Sequence, residues 1–121
     1  MVKYGFEELE FYQLSMKLWD LCWFDSEKIM SDRRGWDLSQ QLISAVGSIC
    51  ANIEEGYGSS STKKYINFLT YSRGSAQEAR GWYKKAKFLL PADIIESRIS
   101  DLELIIGKVT KTISTLRGKL K

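Results

Sequence analysis

The chain has 121 residues, of which 44% are hydrophobic and 27% charged, with a formal net charge of +3, and this is ordinary for a single globular domain. Histidine is absent, which excludes the commonest general base, the commonest metal ligand and the Ser-His and Cys-His nucleophile pairs. No run of about 18 apolar residues predicts a membrane-spanning helix, and the N-terminus lacks the basic start and apolar core of a signal peptide, so we expect a cytoplasmic protein.

The first predicted helix, residues 8–30, has more apolar surface than one bundle core requires. Two stripes of large apolar residues follow it at helical spacing and together cover roughly 220°, against roughly 100° for one core-facing stripe. One stripe contains Leu9, Tyr12, Met16, Trp19 and Trp23, and the other contains Phe11, Leu14, Leu18 and Leu21. We expect the excess to be buried between subunits of a homo-oligomer. The alternative is that the N-terminal segment and the loop at 31–36 cover it within one chain.

The predicted oligomer interface combines part of this surface with aromatic residues elsewhere, because aromatic side chains are enriched in interfaces. The candidate interface residues are Phe11, Leu14, Leu18, Trp23 and Trp82. Trp36 and Tyr71 also lie off the main apolar stripes and are further candidates.

The second predicted helix spans residues 37–55. Asp37 is expected to be its N-cap, and Gln40 three residues later completes a capping box. The apolar side of this helix contains Leu38, Leu42, Ala45, Val46, Ile49 and Ile53. The far side contains small residues that allow another helix to approach closely, namely Ser44, Gly47, Ser48 and Ala51.

Few residues of the chain have the type and spacing that chemistry requires. Cys22 and Cys50 fall within helical patterns and lack the spacing of paired metal ligands, so we interpret them as buried thiols. Glu54 and Glu55 are adjacent on a helix and point about 100° apart, so they do not form an acid–base pair facing one substrate. Asn52 is expected at a helix end, where its amide caps or bridges backbone groups of the next turn. We therefore predict no catalytic residue, no cofactor and no metal site.

The loop at residues 56–64 combines glycines, serines and two lysines, a composition that can form an anion site at a helix N-terminus. Its glycines do not have the spacing of a P-loop, and no strand is predicted before it. A helix stop, a polar turn and a serine N-cap account for the same residues. We therefore interpret the segment as a turn.

The third predicted helix, residues 61–89, carries a basic stripe within a sector of roughly 60° that extends for about 21 Å. The stripe consists of Arg73, Arg80, Lys84 and Lys87. Residues 1–58 contain five basic and ten acidic residues (net −5), whereas residues 59–121 contain thirteen and five (net +8). This pattern indicates contact with successive phosphates of a nucleic acid. The alternative is a solvated face whose cations pair with acids of the first two helices.

The fourth predicted helix, residues 93–117, follows a turn at Pro91 and has Asp93 as its expected N-cap. Its apolar residues alternate steps of four and three, the period of a helix packed along its whole length against other helices. They are Ile95, Ile99, Leu102, Ile106, Val109, Ile113, Leu116 and Leu120. Four long helices with short connections predict an all-α, up-down-up-down antiparallel four-helix bundle, formed by residues 1–121 as one domain.

Several segments resemble the family encoded in intervening sequences of bacterial 23S rRNA genes, often labelled ribosomal-protein-like. The most specific segment is Ser48–Gly58, which is similar to the family's Ser-Ile-Pro-x-Asn-Ile-x-Glu-Gly pattern, with Cys50 in place of the usual proline. The opening Phe6–Glu10, the polar helix start Ser61–Leu69 and the Gly-Ser-x-x-Glu pattern at Gly74–Glu78 add to the resemblance. It covers nearly the whole chain.

The resemblance implies a four-helix bundle that assembles into a ring-like homopentamer without known catalytic activity. A distant branch of similar bundles resembles accessory proteins of diversity-generating retroelements, which use a basic pentameric surface to engage nucleic acid and a reverse transcriptase. The first hypothesis is therefore a non-enzymatic homo-oligomer that binds RNA or a ribonucleoprotein through the third helix. A second hypothesis is a structural or protein-interaction bundle that binds no nucleic acid, and an enzyme is the third.

Overall fold

Four long α-helices joined by short connections make up the computed structural model, which describes residues 5–120. Helix α1 spans Glu10–Ile29, α2 spans Trp36–Tyr57, α3 spans Thr62–Lys85 and α4 spans Ala92–Lys119. One-turn 3-10 helices lie at Gly5–Glu8, Arg33–Gly35 and Ala86–Phe88. The described range contains no strand, and the prediction of an all-α, up-down-up-down antiparallel four-helix bundle is confirmed. The predicted domain also included the two chain ends, which lie outside the described residues.

Each helix packs mainly against its neighbours in the sequence. The contact between α2 and α3 is the most extensive, followed by α3 with α4 and α1 with α2, and the contact between α1 and α4 is smaller. In a bundle of this order, the outer surface of α1 and α2 lies on the opposite side from that of α3 and α4.

The structure corrects the assignment of the two apolar stripes of α1. Phe11 and Leu18, predicted at a subunit interface, are 4% and 1% exposed and lie in the core of their own chain. Cys22 and Ile29 continue the same side of the helix and are fully buried. Both stripes satisfy helical periodicity, so the sequence could not decide which of them faces the core.

The other three predicted interface residues have different environments. Leu14 and Trp82 are half-buried and pack against the core of the same chain. Trp23 is 57% exposed and remains available to a partner. The exposed apolar surface of α1 therefore belongs to the stripe that contains Trp23.

The apolar repeat of α4 faces the core over most of its length. Its buried members are Ile95, Leu102, Val109 and Ile113, and its half-buried members are Ile99, Ile106 and Leu116. Leu120, the last predicted member, is 55% exposed because it follows the end of the helix at Lys119.

Two of the predicted helix caps are wrong. Helix α2 begins at Trp36, one residue before Asp37, and α4 begins at Ala92, one residue before Asp93. Neither carboxylate makes an N-cap hydrogen bond, but both lie in the first turn, where the positive end of the helix dipole favours a negative charge.

A serine caps α3 as predicted. The Oγ atom of Ser61 accepts a hydrogen bond of 3.1 Å from the backbone N–H of Lys64. A further cap, which was not predicted, lies before α2, where the side chain of Asp32 accepts a 2.9 Å bond from the backbone N–H of Arg34. Both caps satisfy donors that a helical turn leaves unpaired.

A polar cluster inside the core links α1, α3 and α4. Asp25 is 3% exposed and accepts a 2.7 Å bond from the hydroxyl of Tyr83, which is fully buried. The Arg98 guanidinium donates from Nε and Nη2 to the two oxygens of the same carboxylate, at 2.7 and 3.1 Å. Burial of a charge is costly unless it is paired and hydrogen-bonded, and here both conditions are met.

Candidate functional site

The basic stripe lies on the side of α3 that adjoins α4. Arg73 Nη1 donates a 3.3 Å hydrogen bond to Thr110 Oγ1 on α4. Arg80 Nη1 lies 4.0 Å from Glu103 Oε1, also on α4, in a pair whose side chains are 32% and 58% exposed. At that exposure the ion pair contributes little to stability, and both guanidinium groups still reach solvent.

The other two predicted cations lie at the end of α3. Lys84 is exposed in the last turn of the helix, and Lys87 is exposed in the 3-10 helix that follows. The Lys87 Nζ atom lies 5.2 Å from the centroid of the Phe88 ring. Arg73, Arg80 and Lys84 share one side of a continuous helix, whereas Lys87 is placed by a tighter turn.

Helix α4 widens this basic surface by one cation that was not predicted to belong to it. Arg117 is exposed and follows Thr110 by seven residues, so it lies on the side of α4 that faces α3. Two other cations of α4 are engaged elsewhere, since Arg98 binds Asp25 and Lys108 Nζ lies 3.2 Å from Glu10 Oε1. We call Arg73, Arg80, Lys84, Lys87 and Arg117 the basic surface.

A groove lined by apolar side chains runs along the outer surface of α1 and α2. Its members are Met16, Trp19, Trp23, Phe24, Met30 and Ile43, and we call it the aromatic groove. Trp23 and Phe24 are 57% and 65% exposed. The rings of Trp19 and Trp23 lie 6.0 Å apart with a tilt of 45°. Exposed apolar patches of this kind mark interaction surfaces more often than scattered single residues do.

Gly47 explains how the groove forms. An added Cβ at this position would lie 3.1 Å from the Trp19 ring, so the indole packs directly on the α2 backbone. The prediction that small residues of α2 allow close approach is therefore correct at Gly47, where the neighbour is α1 of the same chain. The groove is also lined by three carboxylates, those of Asp20, Glu27 and Glu54.

The loop between α2 and α3 uses its polar groups for its own turn. Ser59 Oγ donates to the backbone oxygen of Gly56, and Lys64 Nζ donates to Ser60 Oγ at 3.3 Å. Gly56 is buried against Phe68 of α3. These contacts support the interpretation of residues 56–64 as a helix stop and turn.

Two of the segments that carry the family resemblance meet between α2 and α3. Ser48 Oγ accepts hydrogen bonds from Ser75 Oγ at 2.9 Å and from Asn52 Nδ2 at 3.0 Å. Ser72 Oγ donates a 2.9 Å bond to the backbone oxygen of Ile49. The motif residues at these positions therefore set how closely the two helices pack, which is a structural role.

The two cysteines are neutral, buried thiols. Cys22 is fully buried and Cys50 is 6% exposed, and burial raises the pKa of each thiol to about 12. A thiol with such a pKa is a poor nucleophile near neutral pH. Within residues 5–120, no three His, Cys, Asp or Glu side chains are placed to hold a metal ion. No helix in that range is long and apolar enough to cross a bilayer.

The comparisons with known proteins agree with this architecture. The family model of the 23S rRNA-intervening sequence protein matches residues 7–114. The chain is also similar to the crystal structure of a protein of unknown function from the S23 ribosomal protein family of Bacteroides thetaiotaomicron, with a TM-score of 0.79. The two are 20% identical over 85% of this chain and 97% of that one, so this likeness shows the fold. No curated protein matches the sequence significantly. Since the family model spans most of the sequence, the chain belongs to the 23S rRNA-intervening sequence protein family.

Proposed function

We propose that the chain forms a non-catalytic, cytoplasmic homo-oligomer that binds RNA, alone or within a ribonucleoprotein, through the basic surface. The observation that supports this most directly is the alignment of Arg73, Arg80 and Lys84 on one side of α3, with Lys87 beyond its end. The aromatic groove lies on the opposite side of the bundle, on α1 and α2. The two surfaces can therefore serve nucleic acid and a second subunit at the same time.

A linear polyanion fits the basic surface better than a small anion does. The cations are spread over about 21 Å of helix, a distance that spans several phosphates of a nucleic acid strand. Arg73 is held against α4 by its hydrogen bond to Thr110, so it loses less side-chain entropy on binding than a free arginine would. We choose RNA because the family is named for sequences within 23S rRNA.

Self-association is the second part of the proposal. The aromatic groove exposes Trp23 and Phe24 to solvent in the single chain, and a second subunit would bury them. The resemblance to the family leads us to expect a ring of five copies. In a ring, several basic surfaces could engage one RNA, which raises its avidity without new contacts.

The decisive experiment replaces Arg73, Arg80, Lys84 and Lys87 together with glutamine. Binding of a fluorescently labelled RNA hairpin and of a single-stranded RNA is measured by anisotropy between about 50 and 200 mM salt. The unchanged protein should lose affinity steeply over this range, and each cation removed should lower the salt slope by about one. The fourfold variant should lose binding and keep its helicity and its assembly.

A matched control removes the same number of positive charges from the first half of the chain. This variant replaces Lys17, Lys28, Arg33 and Arg34 with glutamine, all outside the basic surface. It should bind RNA nearly as well as the unchanged protein. If both variants lost RNA affinity equally, net charge alone would drive binding. The assignment of the RNA-binding site to α3 would then be wrong.

The alternative function is a protein-interaction bundle that binds no nucleic acid. The contacts of Arg73 with Thr110 and of Arg80 with Glu103 favour it, because they give two of the basic side chains a structural partner. Absence of measurable binding to either RNA by the unchanged protein at about 50 mM salt, where phosphate contacts are strong, would overturn the proposed RNA binding in favour of this alternative.

A further inference from the structure

The aromatic groove has a counterpart elsewhere on the same chain. Phe88 is 84% exposed, the largest exposure of a large apolar side chain in the described part of the molecule. It lies in the 3-10 helix after α3, beside Lys85 and the start of α2. A partner that covered this ring would remove a large apolar surface from water, which is favourable.

The charges around the two features are opposite. The groove next to Trp19, Trp23 and Phe24 is lined by the carboxylate of Asp20, with Glu27 beside it. Among the described residues that line the groove, there is no lysine or arginine.

Phe88, in contrast, is flanked by lysines. The Lys87 Nζ atom lies 5.2 Å from the centroid of the Phe88 ring. The Lys85 ammonium lies 4.9 Å from the ring of Trp82 and borders the same depression as Phe88. The ring is therefore presented between positive charges that complement the acidic rim of the groove.

We propose that Phe88 of one copy of this chain inserts into the aromatic groove of a second copy, between Trp23 and Phe24. The depression beside these rings has a volume of about 510 Å³, within the size range of clefts that hold small aromatic groups. Lys85 of the incoming copy, which borders the same depression as Phe88 and lies outside the basic surface, then faces Asp20 and Glu27. This inference rests on the self-association part of the proposed function and names its two contact surfaces.

The charges also decide how the copies are related. If two grooves met face to face, Asp20 and Glu27 of both copies would be brought together, and like charges would oppose the contact. A contact between Phe88 and the groove joins two different surfaces, so it is heterologous, and such contacts form rings or filaments rather than twofold dimers. Because the groove lies on the α1–α2 side and Phe88 lies beside α2 and α3, each copy has both surfaces and can contact one copy through each of them.

The experiment begins with two single variants of the full chain. Trp23→Ala removes a wall of the groove, and Phe88→Ala removes the inserted ring. Each should reduce the assembly to the 13.9 kDa monomer in sedimentation velocity at micromolar concentration. Tyr71→Ala is the matched control, because Tyr71 is an aromatic residue with 59% exposure on α3 and no part in the contact. All three substitutions are at exposed positions, so helicity should be retained, and circular dichroism checks this.

A mixture of the two monomeric variants tests the contact between Phe88 and the aromatic groove more directly than either variant alone. Trp23→Ala retains Phe88, and Phe88→Ala retains the groove, so an equimolar mixture contains the parts of one intact contact. The mixture should form a dimer of twice the chain mass and no larger species. Failure of the mixture to form this dimer would overturn the proposal, as would normal assembly of the Phe88→Ala variant.

The outcomes separate this inference from the proposed function. If the unchanged chain is a monomer at micromolar concentration, self-association itself is wrong. If it assembles and Phe88→Ala assembles equally well, self-association stands and the role of Phe88 is wrong. RNA is omitted from these measurements, so they do not depend on the basic surface.

Discussion

Asp25 depends on two other helices for its place in the core. Its carboxylate is 3% exposed and accepts bonds from Tyr83 and Arg98, whose hydroxyl and guanidinium approach to 2.7 Å. Desolvation, together with the bond to Asp25, raises the pKa of Tyr83, and the pairing with Asp25 raises the pKa of Arg98. Tyr83 is therefore a neutral donor and Arg98 a permanent cation, the arrangement that a buried carboxylate requires.

Removal of one member of the cluster formed by Asp25, Tyr83 and Arg98 should lower the stability of the protein. Arg98→Met leaves the carboxylate of Asp25 buried without a counter-charge, so we expect a loss of about 3–5 kcal/mol in the free energy of unfolding. Tyr83→Phe removes one hydrogen bond and should cost about 1–3 kcal/mol. Urea denaturation at neutral pH measures both. The control is Arg34→Gln, which breaks the exposed pair with Asp32 and should leave the midpoint nearly unchanged.

The triple replacement Asp25→Leu, Tyr83→Phe and Arg98→Met tests the explanation. It leaves no buried charge or unpaired donor, so it should be more stable than Arg98→Met alone. If the triple variant were less stable than the single one, the cost of Arg98→Met would come from lost packing and the electrostatic explanation would be wrong. The sequence did not reveal this cluster, because Asp25, Tyr83 and Arg98 lie far apart along the chain and nothing near Asp25 indicates burial.

The helices themselves were largely predictable, and the failures have identifiable causes. The four helices follow from apolar periodicity and from the position of Pro91, and the cap at Ser61 follows from its place before a polar turn. The starts of α2 and α4 were displaced by one residue, since Trp36 and Ala92 adopt helical geometry without a side-chain cap. The core side of α1 was not predictable, because tertiary contacts decide between two equivalent stripes.

Two glycines inside helices should respond in opposite ways to replacement by alanine. At Gly56 an added Cβ would lie 2.6 Å from the Cβ of Phe68, so Gly56→Ala must separate α2 from α3 and should cost about 1–3 kcal/mol. At Gly74 an added Cβ meets nothing within 4 Å, and Gly74→Ala should stabilise the protein by about 0.5–1 kcal/mol through helix propensity. Thermal denaturation of the two variants and the unchanged chain measures the difference. A Gly56→Ala variant as stable as Gly74→Ala would show that the helices separate without cost.

At the scale of the whole molecule, the bundle has two different sides. The first two helices present the aromatic groove with Asp20, Glu27 and Glu54, and the last two present the basic surface. The division of net charge between the two halves of the sequence predicted that acidic and basic side chains would lie on different parts of the surface. The position of the groove was not predictable, because it depends on Trp19 packing against the backbone at Gly47.

The two sides lead to a prediction about RNA binding by the monomer. Trp23→Ala removes a contact between subunits and leaves Arg73, Arg80 and Lys84 intact, so the variant should still bind RNA. Without several basic surfaces on one particle, its affinity should fall by about 100-fold or more, and its salt slope should be smaller because fewer phosphates are contacted. Anisotropy titrations of both proteins with the same long RNA measure this. Equal affinity would show that one subunit supplies the whole binding surface.

The small contact between α1 and α4 has a consequence for how the chain folds. Most contacts join helices that follow one another, and such local topologies fold fast. The bonds between Asp25 and Arg98 instead join residues 73 positions apart, so they close a long loop at a large cost in chain entropy. We therefore expect these bonds to form after the rate-limiting barrier of folding. Loss of the bonds between Asp25 and Arg98 would therefore appear as faster unfolding, with the folding rate almost unchanged.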